Sequence, residues 1–144
     1  GKVDKSSILS AVDLLPTFCE LAGLKLPRGY QPDGMSQVKA LMGNGNELRE
    51  KPLFWKMSAP WPAPKDRPDH WVAYAVVYEQ WKLAVNKNHS HMALFDLTKD
   101  PLEKKDLAKQ KPAILVQLSG MLKKWLGSLP EKPTGPVFSN LREK

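Results

Sequence analysis

The sequence predicts an α+β fold in which a small four-stranded antiparallel sheet packs against a long C-terminal helix. Short runs rich in Val, Tyr, Trp and Leu alternate with turn residues between positions 53 and 97. Over residues 112–127, apolar side chains recur at helical spacing and form one stripe, and Pro112 suits the first turn of that helix. At 144 residues, the chain is long enough to bury a core of this kind.

Composition excludes several classes of protein. Hydrophobic residues make up 42% of the chain, which excludes a wholly disordered polypeptide. No apolar run approaches the roughly 20 residues that a membrane helix needs, and residues 1–7 hold no apolar signal-peptide core. The single cysteine, Cys19, excludes an internal disulfide and a multi-cysteine zinc site. The net charge of +7 predicts attraction to polyanions, although a merely basic soluble surface explains it equally well.

A short helix is predicted to begin at Asp13 as the N-cap, which places Pro16 at the third helical position, where a missing N–H costs nothing. A capping box between Ser10 and Asp13 is the alternative, and it would set Pro16 deeper in the helix. Gly23 suits the left-handed residue that ends the helix. Its side chains are apolar nearly all round, so the helix needs burial on more than one side. Cys19 is therefore expected to be a buried structural thiol rather than a nucleophile.

Residues 24–52 are predicted to form a connector with one short helical turn over 36–41. Turn signals occur at Asp33-Gly34 and Asn44-Gly45. A connector of this length is unusual inside one compact domain. It is therefore interpreted as a domain junction, which divides the chain into residues 1–48 and 49–144.

The sheet is predicted as a meander whose strands cover 53–57, 71–78, 81–85 and 91–97. A Pro-rich loop, residues 58–69, separates the first two strands. Glu79-Gln80 is a poor two-residue hairpin loop, because neither residue favours a positive φ. The turn there is expected to be longer or bulged.

Motifs for catalysis are missing from the chain. It contains no phosphate-binding Gly-rich loop, no GxSxG and no HExxH. His89-Ser-His91 would place two imidazoles on one side of an extended segment, as a metal pair requires, but no third ligand is evident. The acids beside turns are interpreted as structural caps: Asp13, Asp33, Asp96 and Asp100.

Two groups of motifs resemble the late part of the sulfatase family. Residues 10–23 match its "VDLLPT…LAG" helix, and Asp33-Gly34-Met-Ser36 matches the following "DG.S" turn. Residues 81–83, 94–103 and 106–108 are similar to its "WKL…LYDL..DP.E..NLA" run. The order and spacing of the motifs, over about residues 8–129, fit the arylsulfatase and N-acetylgalactosamine-6-sulfatase-like branch best. Glu79-Gln80 departs from the Gly-containing turn that the family often has before "WK".

This resemblance implies that the chain is the C-terminal part of a sulfatase. Residues 1–48 would be the last helix and junction of an alkaline-phosphatase-like α/β catalytic domain, and residues 49–144 the C-terminal subdomain. In the family a Cys or Ser in a C/S-x-P-S-R motif becomes formylglycine, and Cys19 is not in that motif. Formylglycine, calcium or another divalent cation, and the sulfate-gripping residues are therefore expected in the N-terminal catalytic domain. No catalytic or metal-binding residue is assigned to this chain.

The resemblance further implies hydrolysis of sulfate esters, with this chain supplying one wall of the cleft and part of the recognition of a sulfated glycan. Alone it is expected to be inactive, and export is implied by family habit. The candidate glycan-binding residues are Lys56, Trp61, Lys65, Arg67 and His70. A purely structural role for Trp71 and for the Pro-rich loop is the alternative. Binding to nucleic acid is not expected, but a stand-alone polyanion-binding or interaction module remains the competing interpretation of the whole chain.

Overall fold

A computed structural model describes residues 3, 7–44, 49–57 and 71–130. The whole of the predicted Pro-rich loop, residues 58–69, therefore lies outside the described residues. A 3-10 turn, Ala11–Asp13, leads into helix α1, Leu14–Leu21, and the short helix α2 spans Val38–Leu41. The strands are β1 (Leu53–Lys56), β2 (Val72–Tyr78), β3 (Trp81–Asn86) and β4 (Met92–Asp96), and helix α3 follows at Pro112–Ser128.

The four strands form one sheet in the order β1-β2-β3-β4, and each neighbouring pair is antiparallel. This confirms the predicted meander and the α+β class, and the bounds of each strand and of α3 differ from those predicted by at most one residue. In the described part of the chain, no helix is long and apolar enough to cross a bilayer.

The main core lies between one face of the sheet and α3. Cross-strand partners Phe54, Val76, Leu83 and Leu94 lie on this face, and the last three are fully buried. They contact buried Leu118 and Leu122 of α3, while Phe54 stacks on Trp125 with ring centroids 5.0 Å apart. Burial of each aliphatic side chain stabilises the fold by about 1.5–3 kcal/mol.

The β2–β3 hairpin corrects the expectation of a longer or bulged turn. Tyr78 pairs directly with Trp81, so Glu79-Gln80 is a two-residue loop in which Glu79 has a φ of 52°. Tertiary contacts support this unfavourable conformation. The Glu79 N–H donates to the Arg49 carbonyl at 3.3 Å, and the Gln80 carbonyl accepts from the Leu97 N–H at 2.8 Å.

Helix α1 ends as predicted, but the Asp13 side chain makes no capping bond to its first turn, and the alternative Ser10–Asp13 box precedes the helix. Asp13 is its N-cap residue and Pro16 its third residue, and Gly23 follows its last turn with a φ of 65°. The Gly23 and Leu24 N–H groups return to the Glu20 and Cys19 carbonyls, as in a Schellman ending. The thiol of Cys19 is only half-buried, contrary to the prediction, because this helix is enclosed on one side alone.

Candidate functional site

A buried ion pair joins the first helix to the start of the sheet. Arg49 donates from its two terminal nitrogens to the two carboxylate oxygens of Asp13, at 2.7 and 2.8 Å. Both side chains are almost completely buried, at 1% and 2% exposure. Paired guanidinium and carboxylate groups in this parallel arrangement fix orientation as well as distance. Asp13 therefore links the two predicted units of the chain instead of capping the first turn of α1.

Further donors converge on the same carboxylate. The Ser10 N–H donates to it at 2.8 Å, which is the Asp13 side of the capping box considered as an alternative, and the Met35 N–H donates at 2.9 Å. Desolvation by burial opposes ionisation of Asp13. The hydrogen bonds from Arg49, Met35 and Ser10 outweigh it and hold the pKa of Asp13 below its ordinary value.

The Asp33-Gly34 turn approaches the start of α1 too closely for any side chain. A Cβ at Gly34 would lie 2.1 Å from the Val12 carbonyl oxygen. This close approach is what brings the Met35 N–H to Asp13, and the Gln37 N–H similarly reaches the Thr17 hydroxyl at 3.0 Å. The two early motifs of the resemblance are thus two sides of one contact.

Apolar side chains surround a shallow hollow of about 290 Å³ beside α1. Four of them define what we call the apolar shelf: Leu9, Leu14, Phe18 and Leu41. Each is about half exposed, and Phe18 reaches 58%. Others on the same segment are equally open: Leu15, Leu21, Leu24 and Met42. Such a concentration of exposed large apolar residues is typical of an interface rather than of a free surface.

The late motif also has a structural explanation. The carboxylate of Asp106 accepts from the Leu94 N–H at 2.9 Å, and the Leu107 N–H donates to the Leu94 carbonyl at 2.7 Å. These bonds attach the segment before α3 to the open edge of β4. Asp106 belongs to the motif at residues 106–108, but the sequence predicted no structural role for it.

Asp96 and Asp100 act as turn caps, as predicted. Desolvation raises the pKa of Asp96. The hydrogen bonds from the Thr98 hydroxyl and N–H lower it by more, so the pKa lies below its ordinary value. The Lys105 N–H donates to Asp100 at 2.7 Å and lowers the pKa of that carboxyl.

A tightly bonded turn joins β3 to β4 at one end of the sheet. Asn86 receives the His91 N–H on its side-chain oxygen at 3.1 Å and donates to the Ser90 hydroxyl at 3.0 Å. That hydroxyl donates to Asn88 at 2.7 Å. Within this turn His89 has a φ of 60°, a conformation that is uncommon for a side-chain-bearing residue.

The two imidazoles of this turn do not form the metal pair considered from the sequence. His89 lies 5.2 Å from the ring of Tyr74, which packs against the α3-side core. His91 lies 4.2 Å from the ring of Trp71, which belongs to the cluster on the opposite face. The left-handed His89 breaks the alternation that an extended segment would have. Among the described residues, no group of three or more His, Cys, Asp or Glu could hold a metal ion.

The opposite face of the sheet carries a groove of about 710 Å³. Its floor is made of small and apolar residues, including Ala75, Ala84 and Phe95, and Trp55 and Trp71 lie along it. At one end the Lys82 ammonium donates to both oxygens of Glu103, at 2.6 and 2.7 Å.

Only one of the predicted glycan-binding residues lies in the described part of the chain. Lys56 ends β1 and is exposed. Trp61, Lys65, Arg67 and His70 lie outside the described residues. Trp71, for which a core role was the alternative, is half-buried against His91.

Comparison with known proteins agrees with the motifs. Residues 1–132 match the family described as N-sulphoglucosamine sulphohydrolase, C-terminal. The chain is 26% identical over 131 residues to N-acetylgalactosamine-6-O-sulfatase from Bacteroides thetaiotaomicron, covering 82% of this chain and 23% of that relative.

Solved structures give the same result. The chain is similar to Ps i-CgsB in complex with k-i-k-neocarrahexaose, with 30% identity, a TM-score of 0.59 and coverage of 81% of this chain and 24% of that one. Its similarity to a 2-O GAG sulfatase has 25% identity, a TM-score of 0.53 and coverage of 80% and 24%. The chain spans about a quarter of the length of these relatives. The resemblance predicted from its motifs is confirmed, and the chain belongs to the N-sulphoglucosamine sulphohydrolase, C-terminal family.

Proposed function

We propose that this chain is the C-terminal subdomain of an enzyme that hydrolyses sulfate esters of a sulfated glycan. The observation that carries the proposal is the family match over residues 1–132, together with relatives that are sulfatases. The chain's role in that enzyme is to form one wall of the substrate cleft and to recognise the glycan.

The catalytic centre belongs to a preceding domain in this proposal. Formylglycine and calcium, or another divalent cation, would be held there. The described residues of this chain do not fit such a metal, because they bring no three suitable ligands together. Cys19, in the middle of α1, is not followed by the residues of the formylglycine motif. The isolated chain is therefore expected to be inactive.

The apolar shelf is the surface on which the catalytic domain would rest. Half-exposed Leu14 and Phe18 supply apolar area that the chain's own residues leave uncovered. The Asp13–Arg49 ion pair and the Gly34 contact hold this surface in one shape. In this arrangement residues 1–48 complete the catalytic domain and residues 49–144 form the subdomain beside it.

Glycan recognition is assigned to Lys56 and to the segment that follows β1. Lys56 is exposed at the end of that strand. Lys65 and Arg67 would donate charge-assisted hydrogen bonds to sulfate groups, and Trp61 and His70 would contact sugar rings. By family analogy the protein acts outside the cytoplasm.

The test compares the isolated chain with the product of the full coding sequence. Sulfate release from heparin and chondroitin sulfate is measured with calcium, magnesium and manganese. We expect turnover only from the longer product, whose upstream sequence should contain C/S-x-P-S-R. Turnover by the isolated chain would show that the catalytic centre is wrongly placed. A start codon directly before the codon of Gly1, with no upstream motif, would favour the polyanion-binding module instead.

Recognition is tested in the longer product with the variant W61A/K65Q/R67Q. An increase in KM for the glycan with little change in kcat is expected. An unchanged KM would remove the segment from the binding site.

A further inference from the structure

We propose that the β3–β4 end of the sheet binds a sulfate group of an anionic sugar, through Lys56, Lys87 and His89 beside the ring of Tyr74. This inference rests on the proposed function and deepens it, since it names a part of the recognition surface that the motifs do not indicate. The ligand class is a sugar that carries a sulfate.

The first support is the conformation of His89. A histidine with a φ of 60° is strained, and the surrounding turn maintains that strain through four hydrogen bonds of Asn86, Asn88 and Ser90. Residues in sparsely populated backbone regions concentrate at binding and catalytic sites. The turn thus presents an exposed imidazole in a fixed position rather than on a mobile loop.

Neighbouring strands supply the other groups. Lys56 and Tyr74 are direct cross-strand partners, so their side chains share one face of the sheet. His89 lies 5.2 Å from the Tyr74 ring. Lys87 is exposed in the same turn as His89. An aromatic ring flanked by an ammonium group and an imidazole offers an apolar surface to a sugar ring and donors to a sulfate.

Charge is distributed unequally along the sheet. The acids of the described residues from 49 to 130 lie at the end of the sheet that holds the β2–β3 hairpin, or beside the middle of β4. They are Glu50, Glu79, Asp96, Asp100, Glu103 and Asp106. Lys82 and Lys99 are paired with acids there. Within the same ranges, neither Lys56 nor Lys87 has an acidic partner. Among residues 49–57 and 71–130, this end therefore carries lysines without acids, and we call it the basic end.

A sulfated sugar fits this end better than nucleic acid does. The cluster is compact, with one half-buried tyrosine ring rather than the row of stacking aromatics that single strands require. Its donors suit a single tetrahedral anion, and the family to which the chain belongs is named for a sulfated sugar.

The experiment titrates the 144-residue chain with a heparin hexasaccharide and follows its amide resonances by NMR. We expect shifts concentrated at Lys56, Tyr74 and the 86–91 turn. His89→Asn keeps a residue that tolerates a left-handed backbone while removing the imidazole, and it should weaken binding by about threefold to tenfold. K56Q should have a similar effect, and the matched control K104Q, near the acidic end, should have none.

Thermal unfolding of each variant verifies that it remains folded.

The control ligands are the desulfated hexasaccharide, inorganic sulfate and a DNA duplex. Weaker binding of all three is expected. Unchanged hexasaccharide affinity in H89N and K56Q would overturn the proposal, as would equal affinity for the desulfated sugar, for sulfate alone or for DNA. These outcomes are independent of sulfate hydrolysis, so the binding site and the proposed activity can fail separately.

Discussion

Asp13 and Arg49 lie 36 residues apart and form a two-point ion pair at 2.7 and 2.8 Å inside the protein. The pair is surrounded by backbone donors from Ser10 and Met35, so the carboxylate has no vacant position facing water. The helix that begins at Asp13 and the strand that begins shortly after Arg49 are consequently held in one fixed relation.

Removing one member of this pair should be much worse than removing both. We expect R49M to lower the free energy of unfolding by about 3–5 kcal/mol, because it leaves the Asp13 charge buried without its counterion. The double variant D13L/R49M should recover part of that loss. Urea unfolding of the wild type and the two variants measures this, and a double variant no more stable than R49M would contradict the coupling.

Gly34→Ala should destabilise the protein because its Cβ would lie 2.1 Å from the Val12 carbonyl oxygen. A contact that short requires a shift of the backbone, which costs about 1–3 kcal/mol. Gly120→Ala in α3 is the matched control, since nothing lies within 4 Å of its Cβ. That substitution should stabilise the helix by about 0.5–1 kcal/mol, measured by urea unfolding. Equal effects at the two glycines would contradict the close approach.

Acid should weaken the protein partly through Asp13. Its folded-state pKa is below the ordinary value of 3.8, so the unfolded chain takes up a proton first as the pH falls. The stabilisation is therefore fully present above about pH 4 and is lost on further acidification through the lower folded-state pKa. D13N should be less stable at neutral pH and change less in stability between neutral pH and about pH 3. Thermal melts of D13N and of the unchanged protein over that pH range test this. If the two melting temperatures fell in parallel with pH, Asp13 would not be a source of the acid sensitivity.

The apolar shelf should tolerate charge in the isolated chain. Phe18 is 58% exposed, so F18K should change the free energy of unfolding by less than about 0.5 kcal/mol while reducing binding of a hydrophobic dye. L118A, at a residue that is 1% exposed in α3, should cost about 2–5 kcal/mol. A large loss of stability in F18K would mean that the chain covers this side chain itself. In the longer enzyme the same variant should weaken domain association.

The hairpin offers a stabilising substitution. Glu79 has a φ of 52°, a region that glycine adopts without a steric penalty. Glu79→Gly should therefore raise the free energy of unfolding by up to about 1 kcal/mol, with Gln80→Gly as the control that should not. The urea midpoints of the two variants measure this, and a midpoint raised equally by both would contradict the prediction.

The sheet and α3 were predictable because their signals are local. Strand composition, turn residues and the apolar helical stripe that follows Pro112 are each set by a few neighbouring positions. The predicted and observed bounds of the strands and of α3 agree to within one residue. Arg49 was not predictable in this way. The Gly- and Pro-rich connector around it predicts an exposed arginine, and its partner Asp13 is distant in the chain.

Conformation explains the other differences. Glu79 and His89 both adopt positive φ values that neither residue type favours, so hairpin and metal-pair reasoning from residue preferences failed at these two turns. Bonds to Arg49 and Leu97 support the Glu79 turn, and local side-chain bonds within residues 86–91 support the His89 turn. Of the residues at the proposed basic end, the sequence indicated only Lys56, because the position of Tyr74 opposite it depends on strand register.

The chain-order pairing of β1 to β4 has a kinetic consequence. Every sheet contact joins neighbours along the polypeptide, and rapid folding is typical of such short-range topologies. The bond between Asp13 and Arg49 instead closes a long loop. We therefore expect the meander and α3 to fold first, and α1 to pack against them in the last step of folding.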